Sequence, residues 1–292
     1  MVITNVIGGI GNQMFQYAAG RSLSLSTGQQ YLLDLSGFSK YRLHNGFELG
    51  RVFNMVPEKA DVHNLHRLLR WRAHPLAQKV LRRAQFGWLR GRIFVAEPHF
   101  NYWSGFSNLT GNCYLYGYWQ SEQYFKSVES VIRRDFYFRE PLDEVNADLA
   151  SKIQRGQAIS LHIRRGDYVS DAKTRKIMDI CSLDYYLEAI KYIVDHVENP
   201  IFYIFSDDMA WVRTNLTLNY DCIYVDHNRG IESYRDMQLM SLCKHHIISN
   251  SSFSWWGAWL NADSEKIVVA PKTWFRNGMN DFDLIPKEWV RL

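Results

Sequence analysis

Short apolar runs and stretches of helical spacing alternate along this chain, most regularly in its second half. Val2 to Ile7 reads as a buried strand, Gly8, Gly9 and Gly11 as a turn, and Asn12 to about Leu25 as a helix. Tyr31 to Leu35 and Cys113 to Tyr118 give two further strands, and Leu65, Leu68, Leu69, Leu76 and Leu81 mark a helical region between them. Beyond this, strands are expected at Ile159 to Arg164, Ile201 to Phe205, Cys222 to Val225, His246 to Ile248 and Lys266 to Ala270. Between them the spacing predicts helices at Leu183 to His196, Met209 to Leu218, Ile231 to Cys243 and Ser254 to Leu260. Alternation of this kind implies βαβ units and a parallel sheet. Ligands of such sheets bind beyond the carboxyl ends of the strands, so the residues just after each strand carry the interest.

Composition narrows the class. At 292 residues the chain exceeds one ordinary domain. Pro141, between an aromatic stretch and an acidic one, places a boundary that gives domains 1–141 and 142–292. Hydrophobic residues make up 47% and charged ones 22%, which excludes a disordered or fibrous chain. The 10 Trp and 17 Tyr suit a core and also surfaces that stack on sugars. Cys113, Cys181, Cys222 and Cys243 form no CxxC pair and read as free thiols. No secretory signal and no membrane-spanning run stands out, so a cytoplasmic protein is expected.

The net charge of +4 is unevenly placed. Residues 62–96 contain no acid but hold Arg67, Arg70, Arg72, Lys79, Arg82, Arg83, Arg90 and Arg92. A solvated helical face or peripheral attraction to anionic lipid would account for them. Nucleic acid is disfavoured, because no nucleic-acid module accompanies the charge.

Candidate chemistry clusters at three strand ends. His162 and Arg164 share one face of their strand, and Gly166 would turn the chain so that Asp167 reaches the rim of the sheet. A guanidinium there matches a pyrophosphate, although a plain Arg-Asp ion pair is the simpler account. After Ile248, the run Ser249-Asn-Ser-Ser-Phe-Ser254 turns into a helix whose first amides, with Ser252, could hold an anion. A serine there could equally be a simple cap. Ser206, Asp207 and Asp208 end another strand, where a carboxylate could meet a ribose or Asp208 could cap a helix. Asp236, in a helical run, could take two hydrogen bonds from a guanine or simply be solvated.

Other motifs fail. A dinucleotide fingerprint starting at Gly9 would need glycine where Met14 stands, leaving an NAD(P)-dependent oxidoreductase as the alternative enzyme class and a non-catalytic binding protein as a third. No P-loop is present. The single Asp-x-Asp, Asp281 and Asp283, reads as a turn, and no metal site or cofactor is expected.

Three stretches together resemble one family: Gly8-Gly-Ile-Gly-Asn-Gln-Met-Phe-Gln-Tyr17, His162-Ile-Arg-Arg-Gly-Asp-Tyr168, and Ser249-Asn-Ser-Ser-Phe-Ser-Trp-Trp-Gly-Ala-Trp259. They resemble the α-1,2-fucosyltransferases of glycosyltransferase family eleven, in the short bacterial form. The resemblance implies an α/β fold of the GT-B type, two Rossmann-like domains with parallel sheets facing a cleft. By it, the C-terminal domain holds GDP-fucose and the N-terminal domain presents a galactose or N-acetylgalactosamine acceptor, such as one in an O-antigen. It implies inverting transfer to a 2-hydroxyl without metal, with Arg164 on the β-phosphate, His162 and Asp236 at guanine, and Ser206 with Asp207 near the ribose. Ser252 and the Phe253 backbone would hold the diphosphate. Asp167 is the expected general base, with Asp171 and His162 as rivals. Asn12 and Gln13 would contact donor or acceptor.

Overall fold

Val2–Asn5 (β1) is buried at all four positions, as a strand needs to be when neighbours flank it and helices cover both faces. It pairs in parallel with Tyr31–Asp34 (β2) on one side and Cys113–Tyr116 (β4) on the other. Phe94–Ala96 (β3) joins the far edge of β4, giving a four-stranded sheet of order β2-β1-β4-β3. The computed structural model describes residues 1–40, 44–172, 174–276 and 278–292. Its described residues divide into two compact units, Met1–Arg139 with Phe282–Leu284, and Glu140–Asp281 with Ile285–Leu292.

In the first unit the Ile10–Thr27 helix follows a turn in which Gly8 holds φ +94°, a conformation that side chains resist. The opposite face of the sheet packs on Leu68, Leu69 and Leu81. These come from two short helices, Val62–Leu69 and Pro75–Leu81, which replace the single helical region the leucines suggested. The break falls at Arg70, which carries φ +54°. The basic segment thus turns Leu68, Leu69 and Leu81 inward and leaves Leu76, Arg67, Arg70, Lys79, Arg82, Arg83 and Arg92 exposed.

The second unit is a six-stranded sheet, Gln157–Ile163 (β5), Pro200–Ser206 (β6), Cys222–Val225 (β7), His245–Ile247 (β8), Val268–Ala270 (β9) and Val290–Arg291 (β10). The order is β10-β9-β8-β5-β6-β7 and every pairing is parallel. Alternation divides each strand between two cores. Ile159, Leu161 and Ile163 meet Phe202, Ile204 and the Leu183–His196 helix on one face. Ala158, Tyr203 and Phe205 meet Ile153, Leu239 and Met240 on the other. Each such aliphatic or aromatic side chain contributes about 1.5–3 kcal/mol on burial. The polar residues of β5 are matched in place: Ser160 Oγ lies 2.8 Å from His246 Nδ1, and His246 Nε2 lies 2.9 Å from Asn261 Nδ2. Burial holds the His246 imidazole well below its usual pKa, so a neutral ring fills this position.

Among the described residues no helix is long and apolar enough to cross a membrane. All four cysteines are free, Cys113 and Cys243 buried and the other two half-buried.

Candidate active site

The chain runs outward from β5 through β6 to β7, then crosses back to place β8 on the other side of β5. That reversal makes the carboxyl ends of β5 and β8 the switch point where open α/β sheets hold ligands. Both motifs singled out in the second half end there.

Arg164 leaves β5 and is fixed by two carboxylates, Asp167 Oδ1 at 2.7 Å from Nη2 and Asp207 Oδ2 at 3.0 Å from Nη1. The side chain is still 23% exposed, so the pair is a solvent-reachable fork rather than a sealed ion pair. Burial works against its charge, but Asp207 and Asp167 outweigh that and raise its pKa above the usual value. Asp207 also accepts the Arg165 backbone N–H at 2.9 Å. The Arg165 guanidinium lies 3.8 Å from the Trp211 ring and 3.3 Å from Asp208 Oδ2.

Gly166 opens the short Gly166–Ser170 helix, and its necessity comes from contact, not from a turn. A Cβ at this position would sit 2.3 Å from Asp207 Oδ2. The absence of a side chain lets Asp207 reach Arg164. Asp171 Oδ2 accepts the Thr174 hydroxyl at 2.7 Å and the Thr174 N–H at 3.2 Å, capping the turn that follows.

His162 is 5% exposed, and its Nδ1 lies 2.9 Å from Ser249 Oγ across the switch point. Burial lowers its pKa to about 4, the pull of Asp207 being too weak to offset it and Arg164 adding to the effect. It is a neutral hydrogen-bonding ring at ordinary pH. Phe253 packs 5.8 Å from it, centroid to centroid. Tyr168 OH donates to the Asn250 carbonyl at 2.9 Å, tying the β5 loop to the β8 loop a second time.

The third motif forms the Ser252–Leu260 helix, starting two residues earlier than its apolar pattern suggested. Ser251 is its N-cap and accepts the Phe253 N–H at 3.3 Å, an interaction typically worth about 1 kcal/mol. Ser252 is the first helical residue. Trp255, Trp256 and Trp259 are buried and anchor the helix. Asn250 is structural: its Nδ2 donates to the carbonyls of Asp179 (2.8 Å) and Trp274 (3.0 Å).

At the end of β6, Ser206 Oγ accepts the Asp208 N–H at 3.0 Å, and Asp208 accepts the Trp211 N–H at 3.2 Å as cap of the Met209–Asn215 helix. Asp236 lies in the Tyr234–Leu242 helix, where burial pushes its carboxyl up to about 7 despite a 2.9 Å bond from Asn228 Nδ2. Asn228 belongs to a network with Asn146 and His227 that the sequence did not announce.

The second unit therefore brings together His162, Arg164, Asp167, Asp207 and the Ser249–Phe253 turn, with Ser206 beside Asp207 in sequence. Asn12 belongs to the first unit, where its Oδ1 accepts Gln120 Nε2 at 2.6 Å. Gln13 is fully buried and spends its amide on Gly8 O (2.9 Å), Gly46 O (2.7 Å) and the Glu48 N–H (2.9 Å). It holds a loop and has no surface for a ligand. Asp281 and Asp283 are also occupied separately. Asp281 accepts Arg291 Nη2 at 2.8 Å and the Trp274 N–H at 2.7 Å, while Asp283 accepts Gln123 Nε2 at 3.0 Å and the Tyr102 N–H at 3.2 Å.

A family model for glycosyl transferase family 11 matches residues 88–292. The chain belongs to this family, and it is a glycosyltransferase. It is 34% identical over 303 residues to an alpha-1,2-colitosyltransferase of Escherichia coli, covering 100% of this chain and 99% of that protein. To the O-antigen biosynthesis glycosyltransferase WbnK of Escherichia coli it is 36% identical over 307 residues, covering 98% of each. Among solved structures, NodZ alpha-1,6-fucosyltransferase soaked with GDP-fucose shares the fold, with TM-score 0.54 and 19% identity over 89% of this chain and 91% of that one. The fold is of the GT-B type, with two parallel α/β sheets. Family membership removes the oxidoreductase and the non-catalytic binding protein from consideration.

Proposed function

We propose that the protein transfers L-fucose, with inversion, from GDP-β-L-fucose to the 2-hydroxyl of a galactose or N-acetylgalactosamine residue in an O-antigen-type glycan. The observation that carries this reading is Arg164, partly exposed at the switch point and held by Asp167 and Asp207, with the Ser249–Phe253 turn at the neighbouring strand end. The diphosphate takes the outer edge of the guanidinium and the first amides of the Ser252–Leu260 helix. Ser252 and the Phe253 amide complete that cradle, and no metal ion is needed when such fixed donors meet the leaving charge. Guanine lies toward His162 and Asp236, and the ribose toward Ser206, where Asp207 positions the arginine.

Attack by the acceptor hydroxyl on C1 of fucose breaks the C1–O bond, and its electron pair stays on GDP. Asp167 takes the hydroxyl proton. This carboxylate lies 2.7 Å from Arg164 Nη2, and a phosphate sharing the guanidinium competes for that bond and frees the carboxylate for the hydroxyl.

The colitosyl relative favours a second donor reading. Colitose is fucose without its 3-hydroxyl, so GDP-colitose fits the same diphosphate cradle. Thermal shifts with GDP, followed by transfer assays with both sugar nucleotides and NMR of the product linkage, decide the matter. No stabilisation by GDP would refute the nucleotide site, and turnover of GDP-colitose alone would replace the donor.

The basic segment supports peripheral binding to anionic membrane from the cytoplasmic side. Leu76, Lys79 and Val80 share one side of the Pro75–Leu81 helix and are exposed, as is Arg83 just beyond it, alongside Trp71 and Trp88 at 53% and 80% exposure. Arg72 Nε donates to the Leu89 carbonyl at 2.9 Å, which brings the chain near the two tryptophans together. Exposed indoles among cations suit a bilayer surface. Sedimentation with phosphatidylglycerol vesicles at low salt tests this; protein left in the supernatant rejects it.

A further inference from the structure

The helices Glu144–Arg155 and Tyr234–Leu242 cover the same face of the second sheet, where Ala150 and Ile153 of the first share a core with Leu239 and Met240 of the second. A helix that leads into a parallel strand, or follows one, has its amino end at the carboxyl edge of the sheet. Both helices therefore open at the edge where ligands are held. Their first turns carry Asn146 and Asp236, and Asn228 comes between them from the loop after β7.

Asn146 is fully buried, a place where each amide atom needs a partner. Its Nδ2 donates to both oxygens of the Asp143 cap, at 3.0 and 2.9 Å. Arg235 Nε also holds Asp143, at 3.3 Å. A carboxylate can only accept, so Asn146 must turn Nδ2 toward Asp143 and leave Oδ1 to face donors. That oxygen has two, Asn228 Nδ2 and His227 Nε2, each at 3.0 Å. Asn228 takes a 2.9 Å bond from Asn146 Nδ2 on its own oxygen. Its second N–H goes to Asp236 Oδ1, at 2.9 Å. The orientation of both amides thus follows from one fixed anion. The terminal torsion of an aspartate is broad, so packing alone sets the plane of its carboxylate loosely. The Asn228 bond sets it firmly. Asp236 is only half-buried, and the bond falls on Oδ1, which leaves Oδ2 for a ligand.

We propose that Asn228, with Asn146 behind it, is a positioning residue for nucleobase selection, fixing the Asp236 carboxylate in the plane that fits two adjacent N–H donors on the edge of a base. The inference rests on the reading that guanine meets Asp236, and adds what makes that contact selective. Guanine presents N1–H and an N2 amine side by side, hypoxanthine only N1–H, and adenine an N1 without hydrogen. A carboxylate free to rotate satisfies a single N–H from many angles, whereas two parallel bonds need its plane held.

Calorimetry of Asn228→Ala with GDP, inosine diphosphate and ADP tests this. The unmodified protein is expected to bind GDP about tenfold tighter than inosine diphosphate, the effect of one hydrogen bond to a charged acceptor, and ADP most weakly. In Asn228→Ala the affinity for GDP should fall by about fivefold to tenfold and that for inosine diphosphate by less than about twofold, so the preference nearly vanishes. Asn146→Ala should act in the same way, and the double variant should be no worse than either single one, because the two side chains work as a unit. Turnover of Asn228→Ala at saturating donor should stay within about twofold, the loss appearing in donor KM. Asn146 is buried and its variant can fail to fold, so the decision falls to Asn228, which is half-buried. A role in stability alone would lower the melting temperature and leave the ratio of GDP to inosine diphosphate affinity as it was; that unchanged ratio would overturn the proposal. Equal affinity of the unmodified protein for GDP and inosine diphosphate would instead strike the placement of guanine at Asp236, and the inference with it.

Discussion

In the five residues that follow each of β1, β2, β3 and β4 there is no lysine or arginine, whereas Arg164 and Arg165 follow β5 and Asp207 and Asp208 follow β6. Both sheets are parallel, and each has a strand-order reversal bridged by a hydrogen bond, Asn12 to Gln120 in one unit and His162 to Ser249 in the other. The backbone logic is thus repeated while the chemistry is opposite. One edge fixes charge by ion pairs and suits a multiply charged diphosphate. The other offers amides, an aromatic ring and the Glu97 carboxyl, raised by burial to about 7, with the Arg82 guanidinium spent 4.8 Å over the Tyr116 ring.

The strongest way to break this contrast is at Arg164. Arg164→Ala should lower turnover by about 10²–10³-fold, the scale found when one preorganised donor to a developing anion is lost, and should weaken GDP binding in calorimetry. Arg164→Lys keeps the charge but not the fork, and should recover only part. Near-normal kcat/KM in the alanine variant would show that the charged edge serves stability alone. A smaller loss is expected from Gly166→Ala. Its methyl group would press on Asp207 Oδ2, and overpacking of this kind costs about 1–3 kcal/mol. The melting temperature should fall, and turnover with it, as Arg164 loses one of its two anchors. Equal stability and activity would mean that Asp207 is not needed where it stands.

The charged edge was far more legible in the sequence than its supports. His162, Arg164 and the serine turn stand in long motifs at strand ends, where alternation and topology identify them. Gly166 reads as a turn residue in the sequence because its real neighbour, Asp207, follows another strand. Gln13 looked like a ligand contact because its partners at Gly46 and Glu48 are distant in sequence. Glu97 carried no signal, since β3 spans three residues inside a basic segment and shows no alternation. The Glu144–Arg155 helix was missed for a related reason: Asn146, Ala150 and Ile153 are its only buried residues, too thin a stripe to register. What sequence pattern encodes well is periodic burial, and what it hides is side chains whose partners arrive by tertiary folding.

Asp236 allows the nucleotide end of the charged edge to be sharpened with pH. Its folded pKa of about 7 lies above that of an unfolded chain, so protonation favours the fold at low pH and that contribution is lost as pH rises through about 7. A guanine held by Asp236 as proposed needs the ionised form as acceptor. GDP affinity should therefore fall by up to about tenfold per pH unit below 7, and Asp236→Asn should flatten that dependence while weakening binding at pH 8. His162 adds no step near 6.5, since burial already keeps it neutral. An unaltered pH profile in the Asp236 variant would move guanine elsewhere.

The gentlest test changes no residue. At about 0.05 M salt the screening length is about 14 Å, and at about 0.5 M it is about 4 Å. Arg164 is partly exposed, so its attraction for a diphosphate is only partly shielded by protein, and GDP affinity should drop a few-fold across that range. An affinity that stayed constant with salt would mean that the diphosphate is not held by the Arg164 fork, and the contrast between the two sheets would lose its chemical meaning.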